Sequence, residues 1–429
     1  MKSLNLRDSL VLVLRSLLYA VLVQHVKKIG GLLEMKITAV FETSRLEGGG
    51  FNQALNAVLQ MQHLSKNKFE FSVVTNLFEN VQFLVDLGLS TSVCEHSFID
   101  QFLPRLRKLR LSRWIFTRFF PFSRLEMHLQ RLDTDLVYFV NPSATPNALQ
   151  TLNYISTVWD LCHRDFPEFP EVRDSNEFQR RETLYSGTLG ASMLTITESE
   201  KGARAVAKRY DIDQDRTLSM PLSPSPYMSS SHSLGLDEVM LINNLVPGYY
   251  FYPAQLWAHK NHIRIIEAVG LLNQQGIIKQ VVFAGGSKGL DTYLKKHIAS
   301  LNLEKQVKIL GFVPNEQMRG LYEGCTAVVM PTYFGPTNIP PLEAWSIGRP
   351  LIYSSHLLEQ AGDAALLIDP DEVTELVQAM INVLDPIIAN DLIVKGFNRL
   401  KKIEADRITA ELNLLSKLIQ FEKRLKCWH

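Results

Sequence analysis

The sequence lacks a strong excess of charge of either sign and contains few cysteines. Its 429 residues carry a formal net charge of +1 at pH 7, whereas a nucleic-acid-binding protein would usually show a clear basic excess. The four cysteines have no paired spacing along the chain, so neither a zinc site nor a disulfide framework is expected. This cysteine usage is typical of a protein from a reducing compartment.

An apolar run long enough to cross a membrane is also missing near the N-terminus. A spanning helix needs about 20 apolar residues, whereas the run Leu10–Val23 is shorter and is interrupted by Arg15. No small-residue cleavage site follows it, which disfavours a signal peptide. Residues 1–34 are therefore interpreted either as a helix lying on a membrane surface or as a non-native extension before Met35. The expected location is the cytoplasm, with peripheral attachment to the inner face of the cell membrane as an alternative.

What is present beyond Met35 indicates an α/β protein. Hydrophobic residues make up 46% and charged residues 21% of the chain, and the length suits two domains. Short apolar runs alternate with amphipathic stretches, the pattern of βαβ units and parallel sheets. The predicted strands are 37–41, 69–75, 136–140, 154–158, 193–197, 249–252, 281–284, 307–310, 327–330, 351–353 and 366–368.

The domain organisation follows from a break in that pattern. A segment rich in serine and proline, 219–233, is typical of the approach to a linker. We predict two Rossmann-like, doubly wound domains facing a central cleft, the first over 35–235 and the second over 236–405. A helix from Pro386 onward is predicted, with Asp385 as its N-cap, and its last part, 406–429, is predicted to pack back on the first domain.

The most informative segment is the loop that begins at Tyr333 and leads into a helix near Leu342. Loops between a strand and a helix, at the carboxyl ends of parallel strands, are where α/β sheets bind ligands. The loop backbone and the helix N-terminus offer amides to an anion such as a diphosphate. Glu343 lies just inside the helix, where a carboxylate can accept both hydroxyls of a ribose. The combination indicates a nucleotide-sugar site.

Four other strand ends carry residues suited to a ligand. Gly49 and Gly50 follow the first strand, and glycine lets the backbone approach a ligand closely, although any tight turn can use glycines. Lys260 begins a helix after the strand 249–252 and can reach a phosphate. The ordinary alternative is a solvated helix terminus, where lysine is electrostatically misplaced. Gly285 ends one further strand, and Gly311, Phe312 and Val313 follow the next, offering main-chain hydrogen bonds and an apolar face for a base.

Taken in this order, the motifs resemble a known family. The block from Tyr249 to Pro370 resembles the C-terminal half of the GT-B glycosyltransferases, specifically the retaining family 4, and the resemblance extends more weakly over Met35–Pro226. It implies that Lys260 holds the donor diphosphate and that Glu343 binds the ribose hydroxyls. It further implies contacts from the backbone of Thr337, Asn338 and Ile339 to the phosphates, and from Gly311, Phe312 and Val313 to the base.

Two positions depart from the pattern of this family. Gly335 stands where many relatives have a glutamate that touches the sugar, and Gln255 stands where many have an arginine five residues before the lysine. Nucleotide binding is still expected, whereas the identity of the sugar is left open. We predict that Thr337 or Asn338 takes the missing sugar contact.

The catalytic face is expected in the first domain. Trp159 occupies the place of a histidine found in many relatives, which leaves Asp160 and His163 as the polar candidates. Either group could orient the acceptor hydroxyl or stabilise positive charge near the anomeric carbon. The ordinary alternative for Asp160 is a helix N-cap. Ser199 is a weaker candidate, for which N-capping is favoured.

The segment 102–125 mixes arginines with large apolar residues at helical spacing. This composition describes a helix on an anionic membrane surface, and equally a solvated helix that packs its apolar stripe into the domain. In the family that the chain resembles, the equivalent region faces the acceptor.

The function implied by the resemblance is transfer of a hexose, with mannose favoured, from a nucleotide diphosphate sugar to a glycan or lipid-linked acceptor, with retention of configuration. No cofactor and no metal are expected, because Lys260, loop amides and a helix dipole would stabilise the leaving diphosphate. Two alternatives remain open: a non-catalytic sugar-nucleotide-binding scaffold protein and a GT-B sugar-nucleotide epimerase. The expected partners are the donor, the acceptor and a membrane surface, but no nucleic acid.

Overall fold

The computed structural model describes residues 35–95, 123–229, 233–335 and 337–427. From Lys36 onward the chain forms one compact unit that contains two parallel sheets. The predicted extension 1–34 lies outside the described residues. The same holds for the predicted membrane-surface segment 102–125, apart from its last three residues.

The first sheet defines the N-terminal lobe. Its seven strands lie in the order β3-β2-β1-β4-β5-β6-β7, and all pairs are parallel. Continuous apolar runs form the central strands because helices cover both faces of a parallel sheet. The strands are β1 Lys36–Phe41, β2 Glu70–Thr75, β3 Thr91–Val93, β4 Leu136–Phe139, β5 Asn153–Val158, β6 Leu194–Thr197 and β7 Thr217–Ser219.

The second sheet defines the C-terminal lobe. Its six parallel strands lie in the order β10-β9-β8-β11-β12-β13. The central strand β8 is Tyr-Tyr-Phe-Tyr, and its tyrosine hydroxyls donate to backbone carbonyls, as buried tyrosines usually require. The strands are β8 Tyr249–Tyr252, β9 Val281–Ala284, β10 Val307–Gly311, β11 Cys325–Met330, β12 Leu351–Ser354 and β13 Leu366–Ile368.

Helices connect the strands of both sheets. The α-helices of the described chain are α1 Gly49–Ser65, α2 Val81–Asp86, α3 Arg124–Arg131, α4 Cys162–Asp165, α5 Pro170–Arg173, α6 Glu177–Thr188, α7 Glu200–Tyr210, α8 Leu236–Ile242, α9 His262–Gln274, α10 Asp291–Ser300, α11 Asn315–Gly324, α12 Ile339–Ser346, α13 Leu358–Ala361, α14 Val373–Asn382 and α15 Pro386–Leu425.

The architecture confirms the predicted fold class of two Rossmann-like sheets. Every predicted strand is present, with ends shifted by at most two residues. The prediction missed β3 and β7, because these three-residue strands, Thr-Ser-Val and Thr-Leu-Ser, are too short and too polar to form an apolar run.

The long helix α15 joins the two lobes. Asp385 Oδ1 accepts the N–H of Ile387 at 2.8 Å and caps its start, as predicted. Further along, Gln60 Nε2 of α1 donates to Glu411 at 2.9 Å, and Lys417 Nζ donates to the carbonyl of Asp215 at 2.5 Å. The last part of α15 therefore lies against the N-terminal lobe. The domain boundaries near 235 and 405 stay predictions.

None of the helices in the described ranges is, by itself, long and apolar enough to cross a membrane. Only α14 and α15 taken together, with a bend of 97° between them, reach the required length and composition.

Two glycines inside helices test the packing between α12 and α15. An ideal Cβ at Gly396 would lie 2.5 Å from Trp345 Cδ1, whereas one at Gly270 would meet only ordinary contacts at 3.7 Å or more. Gly396→Ala should therefore destabilise the fold by about 1–3 kcal/mol. Gly270→Ala should stabilise it by roughly 0.5–1 kcal/mol through helix propensity. Thermal unfolding of both variants measures the difference, and equal melting temperatures would contradict the packing of Trp345.

Candidate functional site

A cavity of about 320 Å³ opens between the two lobes, at the carboxyl ends of their strands. This volume lies at the lower end of the range for small-molecule sites. Its position agrees with the rule that ligands bind outside the carboxyl ends of parallel strands. The predicted residues that line it are Gly49, Gly285, Phe312, Val313, Ile339 and Glu343.

The glycine turn after β1 forms one wall of the cavity. Gly48 has a φ of 61°, which favours glycine, and both Gly48 and Gly49 line the cavity. Gly50 does not line it: a Cβ there would lie 3.1 Å from the ring of Trp159. Gly48 and Gly49 therefore lie where a ligand could approach, whereas Gly50 allows Trp159 to pack over the turn. The donor-binding role of Gly49 and Gly50 stays a prediction.

The strand ends of the C-terminal lobe form the opposite wall. A Cβ at Gly285 would overlap the carbonyl oxygen of Ala254, so glycine is required there for packing alone. Gly285 N–H donates to the Gly311 carbonyl at 2.7 Å, which ties the ends of β9 and β10 together. Phe312 is 53% exposed and lines the cavity beside Val313. An exposed aromatic ring at this position suits stacking against a base.

Glu343 is 2% exposed and reaches the cavity wall from α12. Its Oε1 accepts the hydroxyl of Tyr227 at 2.6 Å, and its Oε2 accepts the hydroxyl of Tyr322 at 2.5 Å. Burial raises the pKa of Glu343, and the hydrogen bonds that it accepts oppose this effect. Because an ionised carboxylate offers about four lone-pair sites, the two tyrosines orient Glu343 and still leave acceptor capacity for ligand hydroxyls.

Lys260 lies next to the donor loop, which we define as the residues Gly335, Thr337 and Asn338. Lys260 Nζ donates to Asn338 Oδ1 at 3.2 Å. Burial lowers the pKa of Lys260 to about 8, although Cys162, Asp160 and Glu171 act in the opposite direction. Because burial disfavours the charged form of Lys260, an anionic ligand close to its ammonium group would stabilise that form strongly.

The donor loop leads into α12 with fewer free amides than the sequence implied. The N–H of Asn338 already donates to Gln360 Oε1 at 2.9 Å, so the predicted phosphate contact of this amide is wrong for this conformation. Pro340 and Pro341 have no N–H. In the described chain, Ile339 is therefore the first-turn amide that remains for a phosphate.

The side chains of Thr337 and Asn338 in the donor loop also have hydrogen-bond partners within the protein. Asn338 Nδ2 donates to the Gly335 carbonyl at 3.0 Å and to the Tyr353 hydroxyl at 2.7 Å. The Thr337 hydroxyl contacts Glu198 of the facing lobe. Whether Thr337 or Asn338 takes the sugar contact stays a prediction.

Asp160 sits where the loop after β5 meets the cleft. Its Oδ1 accepts the N–H of Cys162 at 2.9 Å and the Arg181 guanidinium at 3.0 Å. The first of these bonds is a local turn bond rather than an N-cap, because the cap position of α4 is Leu161. The charge of Asp160 acts on the pKa of Lys260 and on that of Glu198. Its catalytic role stays a prediction.

His163 does not face the cleft, which corrects the prediction of a catalytic role. The residue has no exposed surface. Its Nε2 contacts Glu182 Oε1 at 2.7 Å, and its ring packs against Phe178 and Tyr185. Burial lowers the pKa of His163. The aromatic side chains of α6 therefore bury His163 away from the cleft.

Ser199 caps α7: its hydroxyl accepts the N–H of Gly202 at 3.1 Å, as favoured.

Contacts across the cleft hold the lobes together. The N–H of His259 donates to Glu171 Oε1 at 2.9 Å, and its Nδ1 contacts the same oxygen. Phe334 stacks on the His259 ring at 4.1 Å and on Phe166 at 5.1 Å. Gln255 Nε2 donates to the Glu47 carbonyl at 3.3 Å. The arginine expected at this position in relatives is thus replaced by a side chain that contacts the facing lobe.

Sequence reasoning missed three residues of the site. Arg45 lines the cavity from the N-terminal lobe, and its position four residues before Gly49 was the available signal. Tyr227 reaches Glu343 from the segment between the lobes. Glu198 directly follows β6, and nothing in the sequence showed its contact with Thr337.

Residues 35–95, 123–229, 233–335 and 337–427 contain no group of three or more His, Cys, Asp or Glu side chains that could hold a metal ion.

Comparison with known proteins finds a family model and curated relatives that match part of this chain. A family model described as glycosyl transferases group 1 matches residues 243–395. An O-antigen chain mannosyltransferase B from Escherichia coli is 26% identical over 208 residues, which cover 48% of this chain and 55% of that protein. An uncharacterized glycosyltransferase from Methanocaldococcus jannaschii is 23% identical over 198 residues, 41% of this chain and 51% of that protein. The chain spans about half the length of these curated relatives.

Solved structures share the fold over most of the chain. A glycosyltransferase from Rickettsia africae superposes with a TM-score of 0.64 at 12% identity, covering 93% of this chain and 100% of that one. HepE of Anabaena, in complex with UDP and glucose, superposes with a TM-score of 0.64 at 16% identity, covering 90% and 99%. WaaG, a glycosyltransferase involved in lipopolysaccharide biosynthesis, gives 0.59 at 13% identity, covering 89% and 98%.

The fold and these comparisons confirm the resemblance drawn from the sequence. The chain has the GT-B architecture of two facing Rossmann-like lobes. Its segment 243–395 is of the group 1 glycosyltransferase type. Assignment to family 4 in particular stays a prediction.

The tyrosine contacts of Glu343 can be tested by stability. Tyr322→Phe removes a donor from a buried carboxyl group and should destabilise the fold by about 1–3 kcal/mol. Tyr293→Phe, at a side chain that is 57% exposed on α10, is the matched control and should change little. Thermal unfolding compares the two, and an unchanged melting temperature for Tyr322→Phe would contradict the assigned contact.

Proposed function

We propose that the protein is a glycosyltransferase that moves a hexose from a nucleotide diphosphate sugar to an acceptor hydroxyl. The observation that carries the proposal is the interlobe cavity, whose walls combine a glycine turn, an exposed aromatic ring and the tyrosine-held carboxylate of Glu343. These features suit, in order, a phosphate, a base and a ribose. The complex of HepE with UDP and glucose supports a donor of this class.

The charge distribution supports metal-independent stabilisation of the leaving diphosphate. Lys260, at the foot of the donor loop, supplies the cation, and the Ile339 amide at the start of α12 supplies a donor aligned with the helix dipole. Arg45 lines the interlobe cavity from the opposite lobe, as Ile339 does from α12, whereas Lys260 is not among the residues that line it and would have to reach the diphosphate from beside it. A diphosphate bound between these groups would be held by both lobes at once.

The finer assignments extend this proposal. A mannose-type donor and a role in polysaccharide or lipopolysaccharide assembly are supported by the similarity to an O-antigen chain mannosyltransferase. Retention of configuration follows the family that the sequence resembles. A glycan or lipid-linked acceptor would approach from the N-terminal lobe, with Asp160 as the group that orients its hydroxyl. Peripheral membrane attachment remains a prediction.

Donor binding and donor turnover can be tested one after the other. A thermal-shift panel of nucleotide sugars identifies the donor, because a ligand that binds only the folded protein raises its melting temperature. Nucleotide release with and without candidate acceptors then identifies the reaction. Acceptor-dependent release supports transfer, whereas binding without release indicates a scaffold protein. Conversion of the donor to an isomeric nucleotide sugar, without an acceptor, indicates an epimerase.

The role of Lys260 gives a sharper prediction. Lys260→Ala should weaken donor binding roughly tenfold or more, because charge-assisted hydrogen bonds to the diphosphate are lost. Lys295→Ala, at an exposed lysine of α10, is the control and should bind as the unmodified protein does. Isothermal titration calorimetry measures both affinities.

Donor affinity of the unmodified protein should also fall as the pH rises through about 8, where Lys260 loses its charge. Lys260→Ala should lack this decline. Equal affinities of the alanine variant and the unmodified protein at pH 7 would contradict the phosphate role.

A further inference from the structure

Glu198 is a buried carboxyl group to which the chemistry described above gives no role. It follows β6 and is 6% exposed. Gln53 Nε2 of α1 donates to its Oε1 at 2.5 Å, within the N-terminal lobe. The Thr337 hydroxyl contacts its Oε2 from the other side of the cleft. One side chain therefore links the first helix of one lobe to the donor loop of the other.

Two cavities flank this contact. One of about 50 Å³ lies within the N-terminal lobe, and one of about 410 Å³ lies between the lobes and α15. Glu198, Pro221 and Leu222 line both, and Thr337 lines the larger one. Because the space around the contact is not filled by packed side chains, dispersion forces support the loop little here. The contact of Glu198 with Thr337 therefore adds a side-chain tether of the loop to the N-terminal lobe, beside the backbone hydrogen bond of Gly335 to Cys162 and the stack of Phe334 on Phe166.

We propose that Glu198 is a positioning residue that, as a neutral acid, holds Thr337 and so fixes the donor loop across the cleft. In the structure the Thr337 hydroxyl is the donor to Glu198 Oε2. In the neutral form that we propose this direction reverses, so that the Glu198 O–H donates to Thr337 Oγ1 and the hydrogen of the threonine hydroxyl is free for a ligand oxygen. Gly335, with a φ of 109° and no side chain, holds the loop only through its backbone. The meaning of the loop for donor binding rests on the proposed function, whereas the contact itself does not.

The surroundings favour the neutral form. Burial raises the pKa of Glu198 well above its ordinary value; the hydrogen bond from Thr337 opposes this effect, and the charge of Asp160 adds to it. The α1 side offers only neutral amides, such as that of Gln53. Arg399 donates to the backbone carbonyls of Gln360 and Glu359 rather than to a carboxylate. The other charged groups that line the larger cavity are Glu200, Glu359 and Asp406, all of them acidic.

Hydrogen–deuterium exchange of the unliganded protein tests the tether directly. Peptides covering the donor loop should exchange roughly tenfold faster in Glu198→Ala and in Thr337→Val, since each removes one partner. The double variant should add little to either single change. Glu198→Gln keeps the shape and neutrality and should stay close to the unmodified protein. Glu200→Ala, an exposed neighbour on the same cavity, is the control and should leave the loop unchanged.

A pH series separates the neutral acid from a carboxylate. After correction for the intrinsic exchange rate, the protection of the loop amides in the unmodified protein should decrease as the pH rises through the raised pKa of Glu198. The reason is that desolvation disfavours the ionised carboxylate in its buried position. Protection in Glu198→Gln should not change with pH. Loss of protection in Glu198→Gln at all pH values would overturn the neutral form.

The tether itself would be refuted by normal loop exchange in a folded Glu198→Ala protein. These readouts need no ligand, so they are independent of the proposed activity. If the loop behaves as expected but no nucleotide sugar binds, the proposed function fails and the tether stands. If donors bind and turn over but the loop is insensitive to Glu198, the reverse holds.

Discussion

Every strand in both sheets runs parallel to its neighbours, and this constraint determines where the site lies. In a parallel sheet all carboxyl ends fall on one edge, so the loops that follow them gather there. The glycine turn after β1, the end of β9 at Gly285, the loop after β10 and the donor loop after β11 are brought together in this way. The cavity between the lobes is thus a consequence of topology, and the side chains decide what it can bind.

Closure of the lobes determines the electrostatics of the site. The pairing of Glu171 with His259, the residue before Lys260 in the chain, and the stack of Phe166 on Phe334 join the lobes. Burial lowers the pKa of Lys260 to about 8 and raises that of Glu198. A cation that loses its charge as the pH rises through about 8 and an acid with a raised pKa therefore lie on facing lobes. Both would respond to an anionic ligand, Lys260 directly and Glu198 through the donor loop.

The sequence allowed the strands and part of the site to be predicted for a physical reason. Buried parallel strands are continuous apolar runs, and the segments that follow them lie at the ligand edge, as Gly285 does at the end of β9 and Glu343 does near the start of α12. Tyr227 and Glu198 were not predicted as site residues, because each meets its partner from a distant segment or from the other lobe. His163 was wrongly predicted to face the cleft, because its neighbours in the sequence do not show that α6 buries it. The Asn338 amide was misjudged because Gln360, from α13, already accepts from it.

The central claim is that a nucleotide sugar binds between the lobes, with its charged part toward Lys260 and its ribose at Glu343. A crystal structure of the protein with the nucleotide sugar that gives the largest thermal shift tests this most directly. The account predicts the base beside Phe312 and Val313, ribose hydroxyls within hydrogen-bond distance of the Glu343 carboxylate, and a phosphate oxygen within reach of Lys260 Nζ. A ligand bound outside this cavity, or seated there without contact to Lys260 and Glu343, would contradict the account.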